Sequence, residues 1–529
     1  MATASRAIWQ RRVPLLAFAS LGVLLVVRLV QYLSMTGTTM RYPFQLDYGE
    51  GIVWQQMRAI VAGHGYASID GFPAIVFHYP PVYHLVTASL ASATGMDELF
   101  AGRLVSMLCT LAVAALLARI LLKCAPAAAP RAARLGAAAI VGLTALTIGP
   151  IEFWSLFMRV DLLCTALVLA GLLCGLKAFE SPRWIVPAAV LFVLAVYTKQ
   201  TAIAAPAAVF GTLLFLRPRT ALTGIGCAVA LGLVIMAGLM IATDGGFVRH
   251  IFFYNINRLD LSRLNLVVAN LGDHFALMTC GLIGVLQQVK MLREGSGAGL
   301  RGFLARLRTH PAQARVVMLL AYLAVTTPMM LMIAKSGAST NYLIEWNLAL
   351  TLFAGLALID LLTPLMRSEG ASQASAMATV LPVLFIAQLV LHPGMSGWIG
   401  KALESQSRDT AAVVEAIRAA PAPVISDDMV AVLRGGRPVL WESAIFAELA
   451  SIGVWDEKPF LDQIRERRFA FFVMTHAEDK RLFNSRYTPS VKAAIDSAYP
   501  TVVERGPYRL QFPAGKLPAY AGPLSQQQN

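Results

Sequence analysis

From residue 13 to residue 391 the chain repeats one pattern, an apolar run of helical length followed by a short polar or basic connection. A bilayer core of about 30 Å takes about 20 apolar residues as a helix, fewer where flanking side chains reach back to the headgroups. Eleven segments fit, near 13–35, 100–122, 135–152, 161–178, 184–198, 200–216, 221–243, 266–289, 315–334, 342–363 and 377–391, and the short ones allow a count from 10 to 13. Basic residues fall in alternate connections: Lys123, Arg131 and Arg134; Lys177 and Arg183; Arg217 and Arg219; Lys290 through Arg315; and Arg367. The positive-inside rule places these connections and the N-terminus in the cytoplasm. Segments 36–99, 153–160, 244–265 and 335–341, with everything after about 395, then face outward. Arg11 and Arg12 precede an apolar stretch longer than a signal-peptide core and without a small-x-small cleavage site, which predicts an uncleaved first span.

The first outer connection, 36–99, is long, and long loops usually carry function. It opens with Asp47-Tyr48-Gly49-Glu50-Gly51. Val53, Met57, Ile60 and Val61 then recur at helical spacing up to Gly63-His64-Gly65, which predicts a helix lying in the membrane interface. His78-Tyr79-Pro80-Pro81-Val82-Tyr83-His84 follows, with prolines suited to the first turn of a second, juxtamembrane or re-entrant helix ending at Thr94. Beyond 395 the pattern changes. Short β-like runs at 423–425, 438–441 and 469–475 alternate with helical patterns at 427–434, 443–452 and 459–467. The organisation predicted is therefore a transmembrane domain over 1–395 and a small extracytoplasmic α/β domain over 396–529. Trp441, Trp455 and the Phe469/Phe471/Phe472 cluster read as the core of that domain.

Composition agrees with a polytopic α-helical membrane protein: 57% of residues are hydrophobic and 14% charged, with a mean hydropathy of +0.63. The net charge of +14 comes from the connections between spans rather than from a basic face with interleaved aromatics, so nucleic acid is not an expected partner. The six cysteines lie in or beside apolar segments, with no C-x-x-C, and none follows Cys280. Walker A, G-x-S-x-G and H-E-x-x-H motifs are absent, and no nucleotide cofactor is expected.

Ionisable groups at membrane depth are costly and default to functional hypotheses. Here they gather at the predicted outer turns: Asp47, Glu50, His78 and His84; Glu152, Arg159 and Asp161; Lys199; Arg249, His250, Arg258, Asp260 and Arg263; and Lys335, Asn341, Tyr342 and Glu345. Several have an architectural alternative. Asp47 and Glu50 have the spacing of a capping box, Asp161 suits a helix start beside Arg159, Lys199 can snorkel, and His84 sits on an apolar helix face. An outer site with carboxylates, cations and a membrane-embedded cavity suits a substrate with an anionic head and a greasy tail, such as a polyprenyl-phosphate-linked sugar. Its phosphate leaving group needs cationic or metal stabilisation more than a strong acid, so one carboxylate acting as base on an acceptor hydroxyl suffices.

In combination, D-Y-G-E-G, the x-P-P-x-Y of Tyr79 to Tyr83, Arg159-Val160-Asp161, Thr198-Lys199-Gln200-Thr201 and Asn341-Tyr342-Leu343-Ile344-Glu345 resemble the GT-C superfamily of lipid-sugar-dependent glycosyltransferases, over roughly residues 13–350. The resemblance is to the family 39-like branch of protein O-mannosyltransferases and lipid A aminoarabinose transferases. It implies Asp47 as catalytic base with Glu50 as its neighbour, Asp161 as second acid, and Arg159, Lys199, Arg249, Arg258 and Tyr342 around the donor phosphate. It also implies a divalent metal (Mg, Mn or Zn) near His78 and His250. Where the aminoarabinose branch carries Glu-Lys before the prolines, this chain has His78-Tyr79, which leaves the sugar open.

The function expected is an inverting glycosyltransferase of a bacterial inner membrane. It moves a sugar from a polyprenyl-phosphate donor to an exported lipid, glycan or protein and has membrane lipids as its surroundings. The competing classes are a flippase for a lipid-linked glycan, which predicts repeated halves and interrupted helices, and a non-catalytic scaffold presenting the C-terminal domain.

Overall fold

The computed structural model describes residues 2–294, 299–367, 372–394, 399–475, 479 and 484–525. Helix α1 (Ala2–Arg41) leads into the first loop, which holds α2 (Tyr48–Val61) and α3 (Val82–Thr94). Then come α4 (Glu98–Cys124), α5 (Arg131–Ala145), α6 (Gly149–Trp154), α7 (Asp161–Lys177), α8 (Ile185–Val196), α9 (Ala204–Leu216) and α10 (Pro218–Ala242). A single turn, α11 (Gly246–Val248), precedes α12 (Asn265–Asp273) and α13 (Phe275–Glu294). The basic α14 (Gly299–Thr309) leads to α15 (Pro311–Met329), α16 (Ile344–Arg367) and α17 (Ser372–Leu391). All eleven predicted apolar segments are helical. Among the described residues six helices are long and apolar enough to cross a membrane unaided, and those covering Pro182–Val196, Ala204–Leu216 and Ala376–Leu391 are shorter and apolar. Two predicted segments are broken: 135–152 between α5 and α6, and 266–289 at His274, whose Nε2 accepts from the Gly149 amide (2.9 Å). The result is a multi-pass membrane protein.

Helix α16 is the central post, its apolar residues buried nearly all round because α4, α5, α13, α15 and α17 pack against it. Close approach is bought by small residues: a Cβ on Gly284 of α13 would lie 2.0 Å from the Phe353 carbonyl oxygen of α16.

The polar C-terminal part consists of α18 (Ile399–Ala419), β1 (Ile425–Ser426), α19 (Met429–Arg434), α20 (Ser443–Ser451), α21 (Lys458–Arg465), β2 (Phe472–Thr475), α22 (Pro489–Ala498), β3 (Thr501–Arg505) and β4 (Tyr508–Phe512). The sheet order is β1-β2-β4-β3, with β1 parallel to β2 and the other pairs antiparallel. Trp441 and the Phe469/Phe471/Phe472 cluster are buried in it. The run at 438–441 makes no strand; it forms one bridge, Trp441 to Ala74 of the first loop. Ile69, Ala74 and Val76 thereby join the core of the C-terminal part. The expected boundary at 395 lies outside the described residues.

Helix α2 corrects an expectation. Its apolar side was expected in the membrane interface. Instead Val53, Trp54 and Met57 are buried in a cluster shared with Met429, Val430 and Leu433 of α19. A Cβ on Gly51 would come within 2.7 Å of the Met429 Cβ, so glycine there allows the two helices to touch. The reason is that the C-terminal part folds back over the first loop and takes the place of lipid.

Candidate active site

Asp47 has extended backbone geometry and caps α2, its Oδ2 accepting from the Gly49 amide (2.9 Å), while Glu50 reaches back to complete the capping box. Capping leaves the Asp47 carboxylate at the helix mouth. There Arg159 Nη1 meets Oδ2 at 3.1 Å. A Cβ on Gly49 would fall 1.2 Å from that same nitrogen, so the glycine of D-Y-G-E-G is what lets the guanidinium lie across the start of α2. Arg159 also rests over the Trp154 ring (4.8 Å), donates to the Tyr79 hydroxyl (3.4 Å) and places Nε 3.9 Å from Asp161 Oδ2. Asp161, the first residue of α7, accepts at Oδ1 from Lys199 Nζ (2.7 Å) and from the Asn341 amide (2.9 Å). Lys199 in turn lies 4.8 Å from the Tyr342 ring, and Lys335 lies 5.2 Å from the same ring.

Four turns distant in sequence thus meet at one end of the bundle, in the order Asp47, Arg159, Asp161, Lys199, Tyr342. Burial raises the Asp47 carboxyl above the ordinary aspartate value, with Arg159 opposing and Glu50 adding to the rise. Burial works against the Lys199 ammonium, but Asp161 outweighs it and holds the amine above the ordinary lysine value. A cleft of about 470 Å³, counted with its open mouth, lies beside Asp161 and Lys199 and runs between α7, α15 and α16.

Glu50, expected beside Asp47 in catalysis, is placed otherwise. It is fully buried, and Arg103 Nε and Nη2 hold its two oxygens at 2.7 and 2.8 Å. Amides of Leu46 (2.8 Å) and Met158 (3.0 Å) donate to it as well. Arg103 spends its remaining protons on the carbonyls of Thr39, Tyr42 and Phe44. With its lone pairs spent inside the protein, Glu50 ties the first loop to α4 rather than facing a substrate.

Arg249 and Arg258 do not join the chain of charges. Both are exposed; Arg249 donates to the Asp244 carbonyl (2.8 Å), and the Arg258 backbone accepts from Ser336. The predicted metal ligands do not fit a metal centre either. His250 uses Nδ1 to accept from the Phe77 amide (3.1 Å) and Nε2 to hold the Ala67 carbonyl (2.7 Å). His78 Nε2 pairs with Glu442 Oε1 at 2.9 Å. Among the described residues no three His, Cys, Asp or Glu side chains gather as a ligand set.

Two contributors escaped the sequence. Arg103 is the first; its signal was a cation near the start of an apolar span. The other is the C-terminal part. The Tyr48 hydroxyl lies 3.3 Å from Ser443 Oγ and from the Ala444 amide, and Arg486 stacks 4.5 Å from the Tyr48 ring while donating to Asp427 (2.7 Å). The residue next to Asp47 is therefore gripped by the C-terminal domain.

Residues 77–334 match the profile of Glycosyltransferase family 87. No curated protein matches the chain. Among solved structures, ArnT from Cupriavidus metallidurans bound to undecaprenyl phosphate is similar at a TM-score of 0.54 and 17% identity, covering 92% of this chain and 97% of that one. ArnT in the apo state gives 0.53 and 18%, over 96% and 98%. Archaeal oligosaccharyltransferase AglB from Archaeoglobus fulgidus, in complex with an inhibitory peptide and a dolichol-phosphate, gives 0.50 and 11%, over 90% and 72%. At such identities the likeness establishes the fold, and the family profile carries the class of reaction, with family 87 rather than a family 39-like branch as the matching profile. The chain is a membrane glycosyltransferase with the GT-C fold.

Proposed function

We propose that this chain transfers a sugar from a polyprenyl-phosphate donor to a hydroxyl of an exported lipid, glycan or protein, at the outer face of a bacterial inner membrane. The observation that carries the reading is the unbroken sequence of opposed charges from Asp47 through Arg159 and Asp161 to Lys199. It sets a carboxylate of raised proton affinity at one end and two ammonium groups, 4.8 and 5.2 Å from the Tyr342 ring, at the other. The solved relatives with undecaprenyl phosphate or dolichol-phosphate bound support the donor class.

In this reading the acceptor oxygen attacks the anomeric carbon as the bond to the phosphate oxygen breaks. Asp47 takes the hydroxyl proton, and the departing phosphate is held by Lys199, Lys335 and the Tyr342 hydroxyl. A single in-line displacement inverts the anomeric centre. Arg159, between the two carboxylates, fixes their spacing and keeps Asp161 engaged with Lys199.

Asp47→Asn tests it. Asparagine still caps a helix, so fold and expression are retained while transfer falls by about a hundredfold or more, the usual worth of a general base. Wild-type kcat/KM declines on the acid side as Asp47 takes up its proton. Because burial raises that carboxyl, the decline begins at higher pH than for an ordinary aspartate of about 3.9. Undiminished transfer by Asp47→Asn in a reconstituted assay removes the proposed base.

A further inference from the structure

The cleft beside Asp161 is lined by Lys199, Asn341, Tyr342, Glu345 and Trp346. Its polar atoms are unevenly paired. Asp161 is buried and its Oδ1 is taken by Lys199 and Asn341, but its Oδ2 has no hydrogen-bond donor. The Asn341 Oδ1 has none either. Glu345, in the first turn of α16 where the helix dipole favours an acid, accepts from the Tyr322 hydroxyl at Oε2 (3.0 Å) and lines the cleft. Buried acceptors are normally satisfied by something, and acceptors without donors are costly.

Two acceptors without donors and a lining carboxylate together select the ligand chemistry. A polyprenyl chain brings no donor, and a phosphate brings further acceptors that Asp161 and Glu345 would repel. A sugar ring brings several hydroxyl donors and apolar C–H faces, which suit the Tyr342 and Trp346 rings. The geometry points to this cleft as the subsite for the donor's sugar, a single neutral hydroxyl-bearing ring, with Glu345 as a residue that reads its hydroxyls. The inference deepens the glycosyl-transfer reading and rests on it: the phosphate stays at Lys199 and Tyr342, and the sugar lies against the acceptor-rich wall.

The experiment uses the full chain in nanodiscs with undecaprenyl-phosphate-linked mannose, glucose, galactose and arabinose, and measures kcat/KM for each alongside binding of sugar-free undecaprenyl phosphate. Glu345→Gln is expected to lose about tenfold or more in kcat/KM for the best donor, the worth of a hydrogen bond to a charged acceptor. Its binding of sugar-free undecaprenyl phosphate stays at the wild-type level. Tyr322→Phe removes the internal hydrogen bond but keeps the carboxylate, and is expected to preserve the wild-type ranking of donors. Asn341→Ala carries the same expectation as Glu345→Gln, so a folding failure in one leaves the other to decide. Wild-type donor kinetics in both variants, or loss of undecaprenyl phosphate binding equal to the loss of transfer, overturns the sugar subsite while leaving the glycosyl-transfer reading in place. Wild-type protein that uses none of the four donors sinks the donor reading first, and the subsite falls with it.

Discussion

Arg103 and Arg159 divide two adjacent carboxylates between architecture and chemistry. Arg103, wholly buried, neutralises Glu50 and collects three carbonyls of the chain leaving α1. Arg159 reaches Asp47 through the space that Gly49 leaves open. Arg103→Ala strands a buried carboxylate, and removing one member of such a pair costs about 3–5 kcal/mol. The variant is expected to show a lowered unfolding temperature in detergent, whereas Asp47→Asn does not; equal unfolding temperatures for Arg103→Ala and the wild type contradict this architecture. At this scale the sequence was half legible. The capping-box spacing of Asp47 and Glu50 was visible, and so was the pairing of Arg159 with Asp161. Which acid would be consumed by the fold was not, because the answer depends on Arg103, 53 residues further along the chain.

Helix α2 is held from two sides. The bundle holds its first turn through Arg103 and Arg159, and the C-terminal part holds Tyr48 through Ser443, the Ala444 amide and the face of Arg486. Periodicity located α2 and α3, the prolines at the start of α3, and α19, α20, α21, β1 and β2 of the C-terminal part, but not α18 or α22. It missed the hairpin of β3 and β4 and the covering of α2, because strand pairing and inter-domain packing join residues with no local period in common. Tyr48 is thus the element's handle, one residue from the proposed base. Arg486→Ala removes the cation from the Tyr48 ring and is expected to lower kcat by about tenfold to a hundredfold, the scale on which small misplacements act. The donor KM is expected to change little, since Lys199 and Tyr342 sit at the far end of the charge chain. Tyr48→Phe keeps the ring under Arg486 and loses only its hydroxyl bonds, so its loss in kcat is expected to be smaller. Initial rates over a donor titration separate the two, and a change confined to KM would contradict a positioning role.

Across the whole molecule, charge is sorted by end. The connections predicted to be cytoplasmic converge: Glu180 takes Arg315 at 2.6 Å and also pairs with Lys123, Arg308 donates to the Phe215 carbonyl (3.0 Å), and Arg367 donates to the Ala128 carbonyl. The connections predicted to be outer hold the Asp47–Lys199 chain and the C-terminal sheet. The alternation of basic loops therefore encoded which turns share an end, since each span carries the chain from one side to the other and the basic side is retained by the insertion machinery. That sorting gives the orientation a direct test. Cysteine-free protein carrying Lys458→Cys, on the exposed C-terminal part, is expected to react with a membrane-impermeant maleimide in intact spheroplasts. Ala132→Cys, exposed at the opposite end, is expected to react only after permeabilisation. The reverse labelling would place Asp47 and Asp161 against the cytoplasm. The donor would then have to present its sugar on the inner leaflet, and acceptors of the exported class would lose access to the base.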